Sequence, residues 1–211
     1  MDVESKLTRL RRQAMVTEQL SGRGIRSMAV LNAMGEVPRH RFVAPELQDS
    51  AYDDRPLPIG RGQTISQPYI VALMTEALRP SPAMRVLDVG TGSGYQAAVL
   101  ARLVARVFGL EVVPELCEAA RLRLMSLGFS NVTVRCADAR LGWPEESPFD
   151  GIVVAAAPAE IPATLVDALA PGGRLVCPVG AYDQELVLVE KRDDGSTRQE
   201  TLASVRFVPL V

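Results

Sequence analysis

RVLDVGTGSGYQ (residues 85–96) runs from a short apolar strand through three glycines into a helical pattern that lasts to about residue 104. A strand, a glycine loop and a helix open a βαβ unit. The same alternation then repeats downstream. RVFGLE (106–111) predicts a second strand, and Pro114 opens a helix carrying Leu116, Ala119, Ala120 and Leu124 that closes at Gly128. NVTVRCAD (131–138) and DGIVVAAA (150–157) predict a third and a fourth strand. Pro162 opens a further helix that APGG (170–173) stops, and RLVCPVG (174–180) predicts a fifth strand. Strands alternating with helices imply a parallel sheet covered on both faces, hence a doubly wound, Rossmann-like α/β domain. QELVLVEKR (184–192), the turn DDGS and SVRFVPLV (204–211) predict a final antiparallel pair.

Upstream, Leu7, Leu10 and Ala14 recur at helical spacing until Gly22 and Gly24. Ser27 is placed to cap a second helix with Val30, Leu31 and Met34 on one face. AYDDRPLPIGRGQTISQP (51–68) holds three prolines and two glycines, so it reads as a long irregular loop. Loops of that length are usually functional. Pro68 then begins a helix with Val71, Met74 and Leu78 at helical spacing. The 211 residues form one domain: N-terminal helices and a long loop over 1–80, the sheet over 81–180 and the antiparallel strands over 181–211.

Composition narrows the function. Hydrophobic residues are 47% and charged residues 23%, which suits a globular chain with a full core. With 23 Lys and Arg against 25 Asp and Glu, the chain lacks the basic excess of a protein built to coat nucleic acid. No apolar run approaches the ~18 residues of a membrane span. MDVESKLTRLRRQ has no apolar stretch after its charges and so is no secretory signal. The three cysteines (Cys117, Cys136 and Cys177) are odd in number and widely spaced, and read as packing residues of a reduced, cytoplasmic protein. The one histidine, His40, reads as a packing or surface residue, so neither a metal site nor a Ser-His-Asp triad is expected. Lys6, Arg9, Arg11 and Arg12 read as a solvated helix face, and Trp143 as a plug at a core edge.

Open α/β sheets bind ligands at the carboxyl ends of their strands, where the glycine loop falls. The loop departs from the dinucleotide pattern, because Tyr95 stands where the third glycine of G-x-G-x-x-G would be. Asp88, two residues before Gly90, suits a cationic ligand such as the amino-acid end of S-adenosylmethionine better than a pyrophosphate. The spacing D-x-G-x-G-x-G over Asp88, Gly90, Thr91, Gly92, Ser93 and Gly94 resembles the first motif of Rossmann-like methyltransferases. Glu111 ends the second strand, where an acid accepts hydrogen bonds from both ribose hydroxyls, and Asp138 ends the third, where it meets the adenine amino group. Asp150 lies at the amino end of its strand and reads as structural.

Ser66, in QTISQP (63–68), has two readings on its chemistry: a cap for the helix that follows, or a site residue. Several segments together resemble the protein-L-isoaspartate O-methyltransferase family. They are MVTEQLSGRGI (15–25), VPRHRFV (37–43), RPLPIGRGQTISQPYIVALM (55–74), VLDVGTGSGYQAAVLA (86–101), GWPEESPFDGIVVAAAP (142–158), PGGRLVCPVG (171–180) and VRFVPL (205–210). The resemblance implies a monomeric cytoplasmic repair enzyme that uses S-adenosylmethionine, releases S-adenosylhomocysteine and needs no metal. Its partners would be isoaspartyl-containing proteins and peptides, with no nucleic acid or membrane. It would methylate the free α-carboxylate of L-isoaspartyl residues, and the ester would return through a succinimide to normal aspartate. The family's active-site serine falls on Ser66, its substrate contacts on Ile59, Thr64, Ile65 and Ser66, and its cofactor contacts on the glycine loop, Glu111 and the Asp138-Ala139 pair. The family usually has Gly-Asp-Gly where this chain has Ala137-Asp138-Ala139, which puts a methyl group near the expected adenine pocket. It also commonly continues past FVPL with a short polar tail. Two alternatives stay open: a methyltransferase of another substrate that shares only the glycine loop, and a cofactor-binding module without repair activity. An NAD oxidoreductase is disfavoured by Tyr95.

Overall fold

The computed structural model describes residues 5–210, with Ala139 described by its backbone alone. Helix α1 (Lys6–Ala14) is capped by the Ser5 hydroxyl and runs on through a π-helical turn and a 3-10 turn to Gly24. Helix α2 (Met28–Glu36) starts where the Ser27 hydroxyl accepts from the Val30 N–H, and buries Val30, Leu31 and Met34 as its spacing predicts. In the loop that follows, β1 (Leu57–Gly60) and β2 (Gln63–Ile65) form a small antiparallel hairpin apart from the main sheet. Its one proline, Pro58, is tolerated because the hairpin is a two-stranded sheet apart from the main one. Pro68 opens α3 (Pro68–Ala77).

The main sheet contains β3 (Arg85–Val89), β4 (Arg106–Glu111), β5 (Val132–Cys136), β6 (Phe149–Val154), β7 (Leu169–Val179), β8 (Gln184–Lys191) and β9 (Thr197–Val205), in the order β5-β4-β3-β6-β7-β8-β9. The first five run parallel and the last two antiparallel. Helices α4 (Tyr95–Ala101), α5 (Pro114–Ser126) and α6 (Ala163–Asp167) connect the parallel strands. Strand residues alternate between two cores. Val86, Val107, Val153 and Val176 face the N-terminal helices and α4, whereas Leu87, Phe108, Ile152 and Leu175 face Trp143, Phe149 and Leu165. The order reverses between β4 and β6 on either side of β3, which sets the topological switch point at the carboxyl end of β3.

Several expectations are corrected. The last strand begins at Thr197, directly after the turn, and SVRFVPLV mostly leaves the sheet. APGG lies inside β7 at a register shift against β6, not in a separate stop. Leu7 and Leu10 are exposed. The basic run of α1 is solvated only in part: Lys6 and Arg9 are exposed, but Arg11 bonds Asp49 and Arg12 is buried against the Tyr52 hydroxyl. Cys117 and Cys136 form a disulfide, with Cα atoms 5.7 Å apart. No short motif signals this pair, but the β4-α5-β5 crossover brings the end of β5 back beside the first turn of α5. Cys177 alone is a free, buried packing residue. His40 bonds the Tyr52 hydroxyl, and Trp143 stacks edge-on against Phe108.

Candidate active site

β3 delivers the chain into Gly90-Thr91-Gly92-Ser93-Gly94, and α4 carries it away. Gly92 has φ +54°, and a Cβ there would meet Ile59 Cδ1 of the hairpin at 3.2 Å. The loop therefore turns tightly with Ile59 packed behind it. Four of its five amides are spent inside the protein. Gly90 and Thr91 N–H donate to the Leu110 carbonyl, Gly92 N–H to Glu111 Oε2, Gly94 N–H to the Thr91 carbonyl and Tyr95 N–H to Ser93 Oγ. A phosphate-binding loop points such N–H groups at its ligand. This one instead braces a surface for a ligand without phosphate.

Glu111, at the end of β4, is buried with Oε2 held by the Gly92 N–H at 2.7 Å and Oε1 by the Val113 N–H at 2.9 Å. Each oxygen keeps a further lone pair for a ligand hydroxyl. Asp88 lies fully buried beneath the loop, and neither carboxylate oxygen has a hydrogen-bond partner among the described residues. The neighbouring Thr91 hydroxyl donates to the Asp88 carbonyl instead. Burial pushes the Asp88 carboxyl up to about 7, reinforced by the charge of Glu111. A buried carboxylate without a donor under a ligand loop fits a cationic ligand above it.

The cleft over the loop is lined by Thr64, Ile65, Ser66, Gly90, Thr91, Gly92, Ser93 and Glu111, so the hairpin and the glycine loop face one space. Ser66 does not cap α3. Gln67 holds the cap position, with no side-chain cap bond, and the half-buried Ser66 hydroxyl makes no hydrogen bond among the described residues. Ile59 and Gly94 support the loop from behind and do not line the cleft. Asp138 lies outside the cleft wall, bound to Arg140, whose hydrogen bonds pull its carboxyl down to about 2. The expectation for the Ala139 methyl group falls outside the described residues. Asp150 is structural, accepting the Arg85 N–H at 2.7 Å.

Sequence reasoning missed two parts of the wall. Gln96 in α4 is buried and donates to the Thr75 hydroxyl, which donates in turn to the Val71 carbonyl. Val208, Pro209 and Leu210 close the far side. They are held there by Ala157, whose N–H donates to the Val208 carbonyl at 2.8 Å and whose carbonyl accepts the Leu210 N–H at 2.9 Å. Gln184 adds a second clamp, bonding both the N–H and the carbonyl of Phe207. Only the apolar character of VRFVPL hinted at this cover. No cluster of three metal-ligating side chains occurs among the described residues. No helix of the described residues is long and apolar enough to cross a membrane.

A doubly wound sheet, a carboxylate at the end of β4 and a glycine loop with no free phosphate cradle define a Rossmann-like methyltransferase that uses S-adenosylmethionine. The family model for protein-L-isoaspartate(D-aspartate) O-methyltransferase matches residues 10–211. A Pelobacter propionicus protein-L-isoaspartate O-methyltransferase 2 is 55% identical over 95% of this chain and 90% of its own. A Gloeobacter violaceus protein-L-isoaspartate O-methyltransferase is 54% identical over 93% of this chain and 96% of its own. A Plasmodium falciparum protein described as a beta-aspartate methyltransferase, solved with S-adenosyl-L-homocysteine, superposes with a TM-score of 0.81 at 30% identity, over 95% of this chain and 98% of its own. The chain belongs to the protein-L-isoaspartate(D-aspartate) O-methyltransferase family.

Proposed function

We propose that this chain repairs damaged proteins by methylating the free α-carboxylate of L-isoaspartyl residues, with Ser66 orienting that carboxylate. The observation that carries this reading is the Ser66 hydroxyl, uncommitted and set in one wall with the glycine loop and Glu111. S-adenosylmethionine, when bound, supplies a methyl group already activated by its sulfonium. The residues that would hold it are Gly90, Thr91, Gly92 and Ser93 along its length and Glu111 at the ribose hydroxyls, with the buried Asp88 carboxyl beneath. Asp138, rotated off Arg140, would reach the adenine.

The acceptor needs no base. A carboxyl with a pKa of about 4 is ionised at neutral pH. One carboxylate oxygen forms the new bond to carbon as the sulfur–methyl bond breaks, and no proton moves. What remains is alignment and exclusion of water, and alignment is worth up to ~7–11 kcal/mol in model reactions. Ser66 supplies alignment by donating to the non-attacking oxygen. Ile65, Val71, Val208 and Leu210 supply a dry wall, in which two opposite charges that cancel on reaction are poorly solvated. Thr64 and Ile65 would hold the substrate main chain beside Ser66. The ester then closes to a succinimide, whose hydrolysis returns normal aspartate.

Transfer of labelled methyl from S-adenosylmethionine to an isoaspartyl peptide, with none to its aspartyl twin and with release of the label by mild base, tests the reading. Equal labelling of both peptides would reject it. A monomer in the cytoplasm completes the proposal. The Cys117–Cys136 disulfide is unusual for a reducing compartment, so thiol labelling of the protein in cells tests that part.

A further inference from the structure

We propose that Arg206 makes this enzyme prefer damaged sites with an acidic side chain next to the isoaspartyl residue; this rests on the isoaspartyl reading above. A second hollow opens directly off the reaction cleft. The two share Thr64, Ser66, Ala155 and Val208, and the second continues past Pro56, Ile70 and Phe207. A polypeptide whose isoaspartyl carboxylate reaches Ser66 must continue on both sides of it, and this hollow is the space that joins the Ser66 position. Its occupant is therefore the substrate chain flanking the damaged residue.

Among the residues lining that hollow, Arg206 is the one charged side chain. It is exposed, and its guanidinium makes no ion pair or hydrogen bond among the described residues. Other arginines of this region are neutralised: Arg55 pairs with Asp53, and Arg61 with Glu115. The acids across the β8–β9 ladder do not balance Arg206 either. Asp183 and Glu185 line a neighbouring hollow that shares Ser204 and Val205 with this one, and neither bonds Arg206 among the described residues. A cation without a counter-ion beside an otherwise uncharged groove attracts an acidic side chain and repels a basic one. The Gln184 side-chain amide bonds the N–H and the carbonyl of Phe207 and so holds the segment that carries Arg206, which gives the charge a fixed origin on the rim.

The test uses two sets of isoaspartyl peptides, one varying the residue after the isoaspartate and one the residue before it, as Glu, Gln or Lys. kcat/KM is measured for the wild type, Arg206→Gln and Arg206→Glu, at low and at high salt. In at least one set the wild type should favour Glu over Gln and Gln over Lys, each by roughly two- to fivefold, the range for an exposed ion pair. Arg206→Gln should level the series and Arg206→Glu should invert it. High salt should flatten the wild-type preference, and kcat on the Gln peptide should stay the same in all three proteins. A wild type indifferent to the flanking charge in both sets, or an order that survives Arg206→Glu, would overturn the proposal while leaving the repair activity standing. Failure of every peptide to accept methyl would overturn the isoaspartyl reading itself, and this proposal with it.

Discussion

The Gly92 N–H donates to Glu111 Oε2 at 2.7 Å, so the turn of the glycine loop is pinned to the end of the neighbouring strand. The same carboxylate takes the Val113 N–H on its other oxygen. Glu111 thus holds the loop and lines the cleft at once. Glu111→Ala removes both functions, and the dissociation constant for S-adenosylhomocysteine should rise roughly ten- to a hundredfold, the equivalent of ~1.5–3 kcal/mol for bonds to a charged group. Calorimetry on the purified variant measures it. An unchanged constant would remove Glu111 from the ligand site.

Ser66→Ala separates stability from rate. Because Ser66 makes no cap bond to α3, the thermal midpoint should stay close to that of the wild type. kcat/KM on an isoaspartyl peptide should fall roughly ten- to a hundredfold with cofactor affinity retained. A lowered midpoint with full kcat/KM would assign Ser66 a structural role.

Asp88 gives the protein a pH signature. Its carboxyl titrates near 3.8 when unfolded and near 7 when buried in the fold. The folded state therefore binds the extra proton between these values, and this group's contribution to stability is full below about pH 4 and lost as pH rises toward 7. Asp88→Asn carries no such charge. The difference in melting midpoint, variant minus wild type, should climb from pH 4 to pH 7 and then level off. A difference that stays flat across that window would show that Asp88 is ionised throughout.

The Cys117–Cys136 bond closes a loop with a sequence separation of 19 residues. Loops of that size contribute about 3 kcal/mol by restricting the unfolded chain. Urea denaturation with and without reductant should show a loss of that order, and Cys117→Ser should match the reduced protein. Thiol titration of the unreduced, unfolded chain should count one free thiol, Cys177. A count of three would dispose of the bond.

The parallel sheet was legible because its strands are buried on both faces and so spell continuous apolar runs, as in Val86-Leu87 and Ile152-Val153-Val154. β9 was hidden for the opposite reason. It is the outermost strand, and Thr197–Val205 is largely exposed, so it carries no apolar alternation. VRFVPL looked like a strand because it is apolar, but it is apolar as the cover of a cleft. Gly109 passed unnoticed inside RVFGLE. A Cβ there would meet Thr91 Oγ1 at 2.6 Å, so this strand glycine makes room for the glycine loop next door. The glycine loop and Glu111 stand out by local spacing, whereas Ser66 reads as a site residue through the length of its loop and the family resemblance. Gln96, Val208 and Leu210 could not, because their roles depend on which distant segments the fold lays beside them. Charge alone places Arg12 in solvent, whereas the Tyr52 hydroxyl gives it a buried partner.

The bonds that fasten Val208 and Leu210 to Ala157 also set a timetable for biosynthesis. The glycine loop, the hairpin and five parallel strands all emerge from the ribosome before the segment that walls in the cleft. A nascent chain paused within β9 would carry Ser66, Glu111 and the whole glycine loop, yet leave them open to water on the side that Leu210 will occupy. That side of the cleft is thus laid down only after every strand of the sheet has been made, against a scaffold that has already had time to assemble.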